Sequence, residues 1–198
     1  MENMQEMKKK LRKEYLAIRN SMTEEEILSK SHEIMGSIVS SYDFLQADHV
    51  LVYASYGSEV NTTGIIAYAF LLRKKVYCPR VTGEGEMEFY EIHSLNDLKP
   101  GYKGIPEPSQ ENNKPYENVN GENTLVLMPG VCFDEKGHRI GYGKGFYDRY
   151  FANKEKMIKM ALAYDNQITE SIPVEENDVS YDFLVTEIQT ICLLEDDI

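Results

Sequence analysis

The sequence predicts a three-layer α/β sandwich, with a mostly parallel central sheet flanked by helices. Three observations carry that expectation. Short runs rich in Val, Leu and Tyr alternate with helical segments of about three turns, which is β-α-β grammar. Residues 124–129 form a continuous apolar run, as a strand buried on both faces requires. The 198 residues suit one domain, 1–198, able to bury about 70% of its unfolded surface without disulfides or metal staples.

The elements follow in order. Residues 4–20 carry Met4, Met7, Leu11, Tyr15 and Ile18 on one stripe and predict a helix. A second helix opens at Thr23, with Glu26 three residues on as a capping box, and repeats Ile27, Ile34 and Ile38 at helical spacing. A strand is predicted over 49–55. A polar turn over 55–61 leads to a helix capped by Thr62 or Thr63 that runs to about Lys74. Strands follow over 75–79 and 87–93, separated by a turn at 83–85. The stretch 99–123 is rich in Pro, Gly and Asn, and is too long for an idle connection. After the strand 124–129 come a basic, glycine-rich segment, a helix from about Gly145 to Asn153, and strands within 157–164 and 183–194. The whole reads as Rossmann-like, with no internal repeat.

Composition narrows the function. The formal net charge is −12, from 21 Lys and Arg against 33 Asp and Glu. A nucleic-acid backbone needs a basic footprint, so general nucleic-acid binding is not expected. Against this background two basic clusters are informative: Lys8, Lys9, Lys10, Arg12 and Lys13, and Lys136, His138, Arg139, Lys144 and Arg149. Cys78, Cys132 and Cys192 are distant and odd in number, which argues against disulfides and structural zinc and predicts small buried side chains. His32, His49, His93 and His138 lack metal-ligand spacing. No apolar run reaches about 18 residues and the N-terminus is not a signal peptide, so a reduced cytoplasmic location away from membranes is expected.

The chemistry concentrates in Arg139-Ile140-Gly141-Tyr142-Gly143-Lys144-Gly145-Phe146-Tyr147-Asp148-Arg149. Glycine permits positive φ and close backbone approach, and successive bare amides can cradle phosphate oxygens. A following helix points its positive end at the same anion. Lys144 adds a point charge and Arg139 a planar fork. Asp148, one turn into the helix, suits Mg²⁺ on a polyphosphate. A Walker A loop is excluded because Lys144 is followed by Gly145 instead of Ser or Thr. A dinucleotide fingerprint is excluded too: about a dozen residues separate Met128 from Gly141, and the last glycine spacing is one short. The residues alone leave a phosphate-binding loop of a nucleotide-using enzyme against a flexible strand-to-helix turn with its charges in water; rivals on the same fold are an enzyme handling sugar phosphates or CoA thioesters and a silent nucleotide-binding module.

The run from Pro129 through Phe133-Asp134, Gly137, Arg139 and Gly141 to Arg149 resembles the signature of the 5-formyltetrahydrofolate cyclo-ligase (methenyltetrahydrofolate synthetase) family. Weaker pieces occur in the family's order: Lys8 to Arg12, Glu59-Val60-Asn61-Thr62, Gly104 to Pro108, and Asn177-Asp178 to Asp182 and Glu187. The resemblance implies a ligase forming C–N bonds. It would convert 5-formyltetrahydrofolate to 5,10-methenyltetrahydrofolate as MgATP becomes ADP and phosphate, through a phosphorylated formyl intermediate. It further implies a folate that can carry a polyglutamate tail, over which Pro106 and Pro108 would stiffen a loop. A monomer is the default expectation, though no residue pattern fixes the oligomeric state.

Residue roles follow from the same resemblance. Lys8, Lys9, Lys10, Leu11 and Arg12 would contact ATP, Arg12 foremost, as would Arg139, Ile140, Gly141, Tyr142, Gly143, Lys144, Gly145, Phe146 and Tyr147. Ala54 and Glu59 would bind the folate, Glu59 through the pterin N–H donors, with Tyr142, Gly143, Lys144, Gly145 and Phe146 facing the formyl end. Lys144, Arg139 and Tyr147 would act on the transferred phosphoryl group. Asp148 and Asp182 would share Mg²⁺, with Asp178 the alternative to Asp182. Phe146 stands where many relatives have Tyr, and Asn177 where His is common.

Overall fold

The structure is a computed structural model that describes residues 3–110, 113–117, 122–152, 154 and 157–194. The ends of the 99–123 stretch are therefore on view, whereas parts of its second half, and the predicted helix end at Asn153, lie outside the described residues.

Helix α1 (Met4–Asn20) opens on a reciprocal capping box: the Asn3 side chain accepts the Glu6 amide, and the Glu6 carboxylate accepts the Asn3 amide. Helix α2 (Glu24–Ser40) repeats the device with Thr23 and Glu26, as its sequence predicts. The short α3 (Tyr42–Gln46) leads into strand β1 (His49–Val52). Helix α4 (Thr63–Leu71) returns to β2 (Lys75–Gly83), which turns into β3 (Glu86–Ile92). Thr62 occupies the cap position of α4 without capping it. Its hydroxyl donates to the Tyr53 carbonyl instead, and the Asn61 side chain accepts the Thr63 amide. The loop-rich stretch contains a small antiparallel pair, β4 (Leu98–Pro100) with β5 (Pro106–Pro108). Then come β6 (Thr124–Met128), β7 (Cys132–Asp134), β8 (Arg139–Ile140), α5 (Phe146–Phe151), β9 (Ile158–Leu162), β10 (Ile168–Thr169), β11 (Phe183–Val185) and β12 (Thr190–Cys192).

Seven strands form the central sheet in the order β12-β11-β9-β6-β1-β2-β3. The five inner strands run parallel, and each edge strand is antiparallel to its neighbour. Period-two alternation divides the apolar side chains between two cores. Val50, Val52, Leu125, Leu127, Met160 and Leu162 pack with Ile34 and Ile38 of α2 and Ile65, Ile66 and Ala69 of α4. Leu51, Val126, Met128 and Ala161 point the other way and pack with Tyr150 and Phe151 of α5. Helices on both faces explain the unbroken apolar run of β6 and confirm the three-layer expectation. Cys78 and Cys132 are buried, but Cys192 is exposed because β12 is a sheet edge, which corrects the expectation for that residue.

Two features position the site. The chain leaves β1 toward β2 on one side and later places β6 on the other, so the winding direction reverses between β1 and β6. A crevice at the carboxyl ends of such a strand pair is where open α/β sheets take ligands. The segments Tyr53–Val60 and Pro129–Gly130 leave the sheet at this reversal. The second feature is a three-stranded sheet, β10-β7-β8, whose β7–β8 hairpin is inserted between β6 and the glycine loop. Its β7–β8 turn is held by the buried Asp134 carboxylate, which accepts the amides of Lys136, His138 and Ile172 and pairs with His138 Nδ1 at 3.0 Å. This hairpin is the physical content of the dozen residues that ruled out a dinucleotide fingerprint.

Candidate active site

Helix α1 lies across the small sheet, with Leu11 and Tyr15 against Cys132, Ile140 and Ile172. Met4 and Met7, expected on its apolar stripe, are exposed. The inward face instead carries Lys8, Arg12, Tyr15 and Arg19, because the helix covers a polar crevice and not the sheet core. Tyr15 donates to the Ile168 carbonyl at 3.2 Å. Lys8 is buried and bridges Glu175 at 2.9 Å and Asp178, two acids of the same short segment. Burial pulls the Lys8 ammonium down, but hydrogen bonds and charge from Asp178 and Glu175 outweigh it and hold its pKa above the ordinary value. Lys9 and Lys10 are exposed on the opposite face.

Arg12 lies against the glycine loop. Its Nε donates to the Gly141 carbonyl at 2.8 Å, and its terminal nitrogens make no hydrogen bond among the described residues. Gly143 has φ 85°, and a Cβ there would come within 3.2 Å of the Arg12 guanidinium carbon. Only glycine combines that backbone with that approach.

Arg139, in the short β8, is buried. It bonds Asp148 at 2.9 Å and spreads its guanidinium 5.5 Å from the centre of the Tyr147 ring. Arg139 Nε and the Tyr147 hydroxyl are buried donors without a partner among the described residues, an arrangement that a folded chain keeps only at a cost unless a ligand supplies the acceptor. Asp148 accepts Arg139 and the Val179 amide through one oxygen, and its other oxygen takes no hydrogen bond among the described residues. Asp182 stands just before β11 at the amino end of that strand, where one oxygen accepts the Lys159 amide at 2.7 Å. Asp178 is engaged with Lys8 and the Glu175 amide. Asp148 thus keeps a hard oxygen donor beside the glycine loop, and Asp182 keeps one at the amino end of β11, with no hydrogen bond or common partner joining the two acids among the described residues. That suits Mg²⁺, which usually takes one or two carboxylates and completes its shell with water and phosphate. Among the described residues no group of three or more His, Cys, Asp and Glu side chains gathers into an all-protein cage.

Lys144 is exposed and lines a cavity of about 890 Å³ between the glycine loop, the β2–β3 turn and Tyr102. Phe146 closes one wall, its ring 6.0 Å from that of Tyr102 in an edge-to-face contact. Arg149 ties the cavity's two sides, donating to the carbonyls of Gly85 and Lys144.

Ala54 is buried at the end of β1, and Glu59 follows in the next turn. The turn is held from beneath: Tyr53 donates to the Val60 carbonyl, Tyr164 to that of Glu59, and Ser31 accepts the Asn61 amide. Burial raises the Glu59 carboxyl above its ordinary pKa, opposed by the Tyr56 amide, the Tyr142 hydroxyl and the charge of Arg19. Tyr142 donates to Glu59 Oε1 at 2.8 Å, so the glycine loop and the carboxylate turn meet directly.

Sequence reasoning missed Arg19 and the Arg149 contacts. Arg19 sits seven residues after Arg12, two helical turns along the same face, a spacing present in the sequence but carried by charged residues and not by the apolar ones that mark a helix face.

Comparison with known proteins identifies the arrangement. The family profile described as the 5-formyltetrahydrofolate cyclo-ligase family matches residues 4–187. The probable 5-formyltetrahydrofolate cyclo-ligase of Caenorhabditis elegans is 30% identical over 201 residues, covering 96% of this chain and 98% of that one. The 5-formyltetrahydrofolate cyclo-ligase of Haemophilus influenzae is 30% identical over 185 residues, covering 90% and 97%. Among solved structures, the 5,10-methenyltetrahydrofolate synthetase of Aquifex aeolicus superposes with a TM-score of 0.82 at 31% identity, covering 97% of this chain and 95% of that one. The chain therefore belongs to the 5-formyltetrahydrofolate cyclo-ligase family and is an enzyme of that type.

Proposed function

We propose that the enzyme closes 5-formyltetrahydrofolate to 5,10-methenyltetrahydrofolate at the expense of ATP and with Mg²⁺, through a phosphorylated formyl intermediate. A formamide carbonyl is a poor electrophile and its oxygen a poor leaving group. In the first step the formyl oxygen attacks the γ-phosphorus, the bond to the bridging oxygen breaks, and ADP leaves with that electron pair. The product is an N5-iminium phosphate. N10 then attacks the iminium carbon and loses its proton, and phosphate departs with the C–O electron pair. The methenyl cation that remains is shared between N5 and N10.

The residues divide this work. Glu59 takes the pterin N–H donors beside Ala54. Arg12, the amides of 141–145 and Lys144 take the phosphates, with Lys144 at the phosphoryl group in flight, where a fixed positive charge has the most effect. Arg139 and Tyr147 offer their unpartnered donors to the same oxygens. Asp148 and Asp182 would hold Mg²⁺, which supplies charge neutralisation on the polyphosphate. Leu11, Ile140 and Phe146 shape the walls. Lys8 supports this reading indirectly, by fixing α1 to the 175–178 segment; Lys9 and Lys10 would reach ATP only from the exposed face of α1.

The observation that carries the reading is the Tyr142–Glu59 hydrogen bond, because it joins a phosphate-binding loop to a pterin-binding acid. Holding two reactants in line is what such a junction contributes to a reaction with little other demand on the protein. The acidic protein, with its net charge of −12, suits small substrates, and a cytoplasmic monomer acting on mono- or polyglutamyl folate completes the proposal. The test is formation of the methenyl product, followed by its near-ultraviolet absorbance, with 5-formyltetrahydrofolate and MgATP. Product is expected only when folate, ATP and Mg²⁺ are all present, with one ADP per turnover. Turnover without ATP, or after complete chelation of Mg²⁺, would overturn the mechanism.

A further inference from the structure

We infer that Arg19 is the positioning residue that assembles the site: one buried guanidinium locks the Glu59 turn, the end of β6 and the glycine loop into a single unit. The inference rests on the folate-binding reading of Glu59 for its consequence, though not for its geometry. Arg19 is 3% exposed although it lies next to the last residue of α1. Its Nε donates to Ser58 Oγ at 3.0 Å, its Nη1 to the Gly130 carbonyl at 3.0 Å, and its Nη2 to the Tyr142 hydroxyl. The guanidinium carbon also stands 5.6 Å from the centre of the Tyr142 ring. Ser58 precedes Glu59, Gly130 follows β6, and Tyr142 is in the glycine loop. The three partners thus come from the two sides of the strand reversal and from the loop that spans it.

The chemistry of the fork matters. A planar guanidinium presents donors in fixed directions, so three segments bonded to it cannot shift independently. Accepting from Arg19 leaves the Tyr142 proton free to point at Glu59, which completes the relay Arg19–Tyr142–Glu59. No carboxylate bonds Arg19 among the described residues, so its charge acts on the crevice instead of being cancelled by a partner. The groups that face Glu59 are Arg19 from α1, Tyr53 at the end of β1, Tyr142 of the glycine loop, Tyr147 of α5 and Tyr164 after β9. All four tyrosines are held above their ordinary pKa by burial. Arg19 is the charged member of that set near neutral pH, and its charge joins the Tyr56 amide and the Tyr142 hydroxyl in opposing the desolvation that raises the Glu59 pKa.

The experiment compares wild type with Arg19→Met and Arg19→Lys in two measurements. The first is the carboxyl titration of Glu59 in ligand-free protein by ¹³C NMR, assigned with Glu59→Gln. The second is the affinity for 5-formyltetrahydrofolate without ATP across the same pH range. Arg19→Met should move the Glu59 midpoint up and weaken folate binding about ten-fold or more near neutrality, with the acid limb of binding following the midpoint. Arg19→Lys should leave the midpoint close to wild type, since the charge remains, but still weaken binding, since one ammonium cannot hold three segments. If Arg19→Met fails to fold, Arg19→Lys alone decides: wild-type affinity would overturn the inference. An unmoved midpoint together with wild-type affinity in a folded Arg19→Met protein would overturn it as well. Failure of the wild type to bind folate would instead refute the folate reading, and the ligand-free titration would still decide the link from Arg19 to Glu59.

Discussion

The Tyr142 hydroxyl donates to Glu59 Oε1 across 83 residues of sequence, and this bond is where the two halves of the proposed site touch. Burial, the nearby Glu59 charge and the bond itself push the Tyr142 phenol up to about 12, against the pull of Arg19, so it remains a donor through the physiological range. Tyr142→Phe keeps the ring over Arg19 and deletes only the hydroxyl. A hydrogen bond to a charged acceptor contributes about 1.5 kcal/mol or more, so the substitution should raise the folate dissociation constant about ten-fold. Titration calorimetry with 5-formyltetrahydrofolate measures this directly, and an unchanged constant would show that the bond is spent before the folate arrives.

Lys144 should separate catalysis from stability. It is exposed, lines the cavity and has no ion pair among the described residues, so its removal costs the fold little. Lys144→Ala is expected to lower kcat about 10²–10³-fold while moving Tm by no more than ~2 °C. Leu127→Ala is the converse. Leu127 is fully buried in β6, and the cavity left behind should cost about 2–5 kcal/mol with little direct effect on the chemical step. Thermal denaturation and single-turnover kinetics on the two variants check the pair. A Lys144→Ala protein that loses its fold would mean that the lysine is structural.

Much of this architecture was legible from residues alone. Thr23 with Glu26 announced α2, the apolar run of β6 announced a strand covered on both faces, and the glycines at 141, 143 and 145 announced the loop. The misses share a cause. Periodicity finds apolar faces, so it assigned Met4 and Met7 inward, whereas α1 covers a polar crevice and turns Lys8, Arg12 and Arg19 toward it. Strands β7, β8 and β10 have only two or three residues each, too short to show an alternation. Thr62 looked like a helix cap because threonine favours that position, but its hydroxyl is drawn to the Tyr53 carbonyl by tertiary contact. The site's polar clamps depend on which distant carbonyl a cation reaches, and no local pattern encodes that.

The Lys8 clamp predicts a pH window for stability. The Lys8 pKa is raised in the folded state, so its contribution is complete below the ordinary lysine value of 10.5 and is lost as pH rises through the folded value. Hydrogen bonds from Lys8 and Gln5 lower the Glu175 pKa, so its contribution is complete above the ordinary 4.5 and is lost as pH falls through the folded value. Lys8→Met should therefore cost about 1 kcal/mol, or ~2–4 °C in Tm, across the plateau between those limits. The difference from wild type should shrink at both ends. Paired melts at a series of pH values test it, and a difference that does not vary with pH would mean that packing of the lysine stem, and not the ion pair, holds α1 in place.

Gly145 and Arg149 should prove energetically coupled. Gly145 has φ 63°, and a Cβ there would lie 2.8 Å from Arg149 Nη1. Gly145→Ala therefore carries two penalties: left-handed backbone strain of about 1–2 kcal/mol, and displacement of a guanidinium that links Gly85 to Lys144. Arg149→Ala removes that guanidinium, and with it the second penalty. The double variant should thus be less destabilised than the sum of the singles by about 0.5–1 kcal/mol, while the strain remains. The same non-additivity should appear in kcat/KM for ATP, because both changes release the carbonyl that fixes the direction of Lys144. A double-mutant cycle on chemical denaturation and on initial rates measures both quantities. Additivity within about 0.3 kcal/mol in the two readouts would show that the glycine serves the turn alone and that Arg149 does not hold the loop.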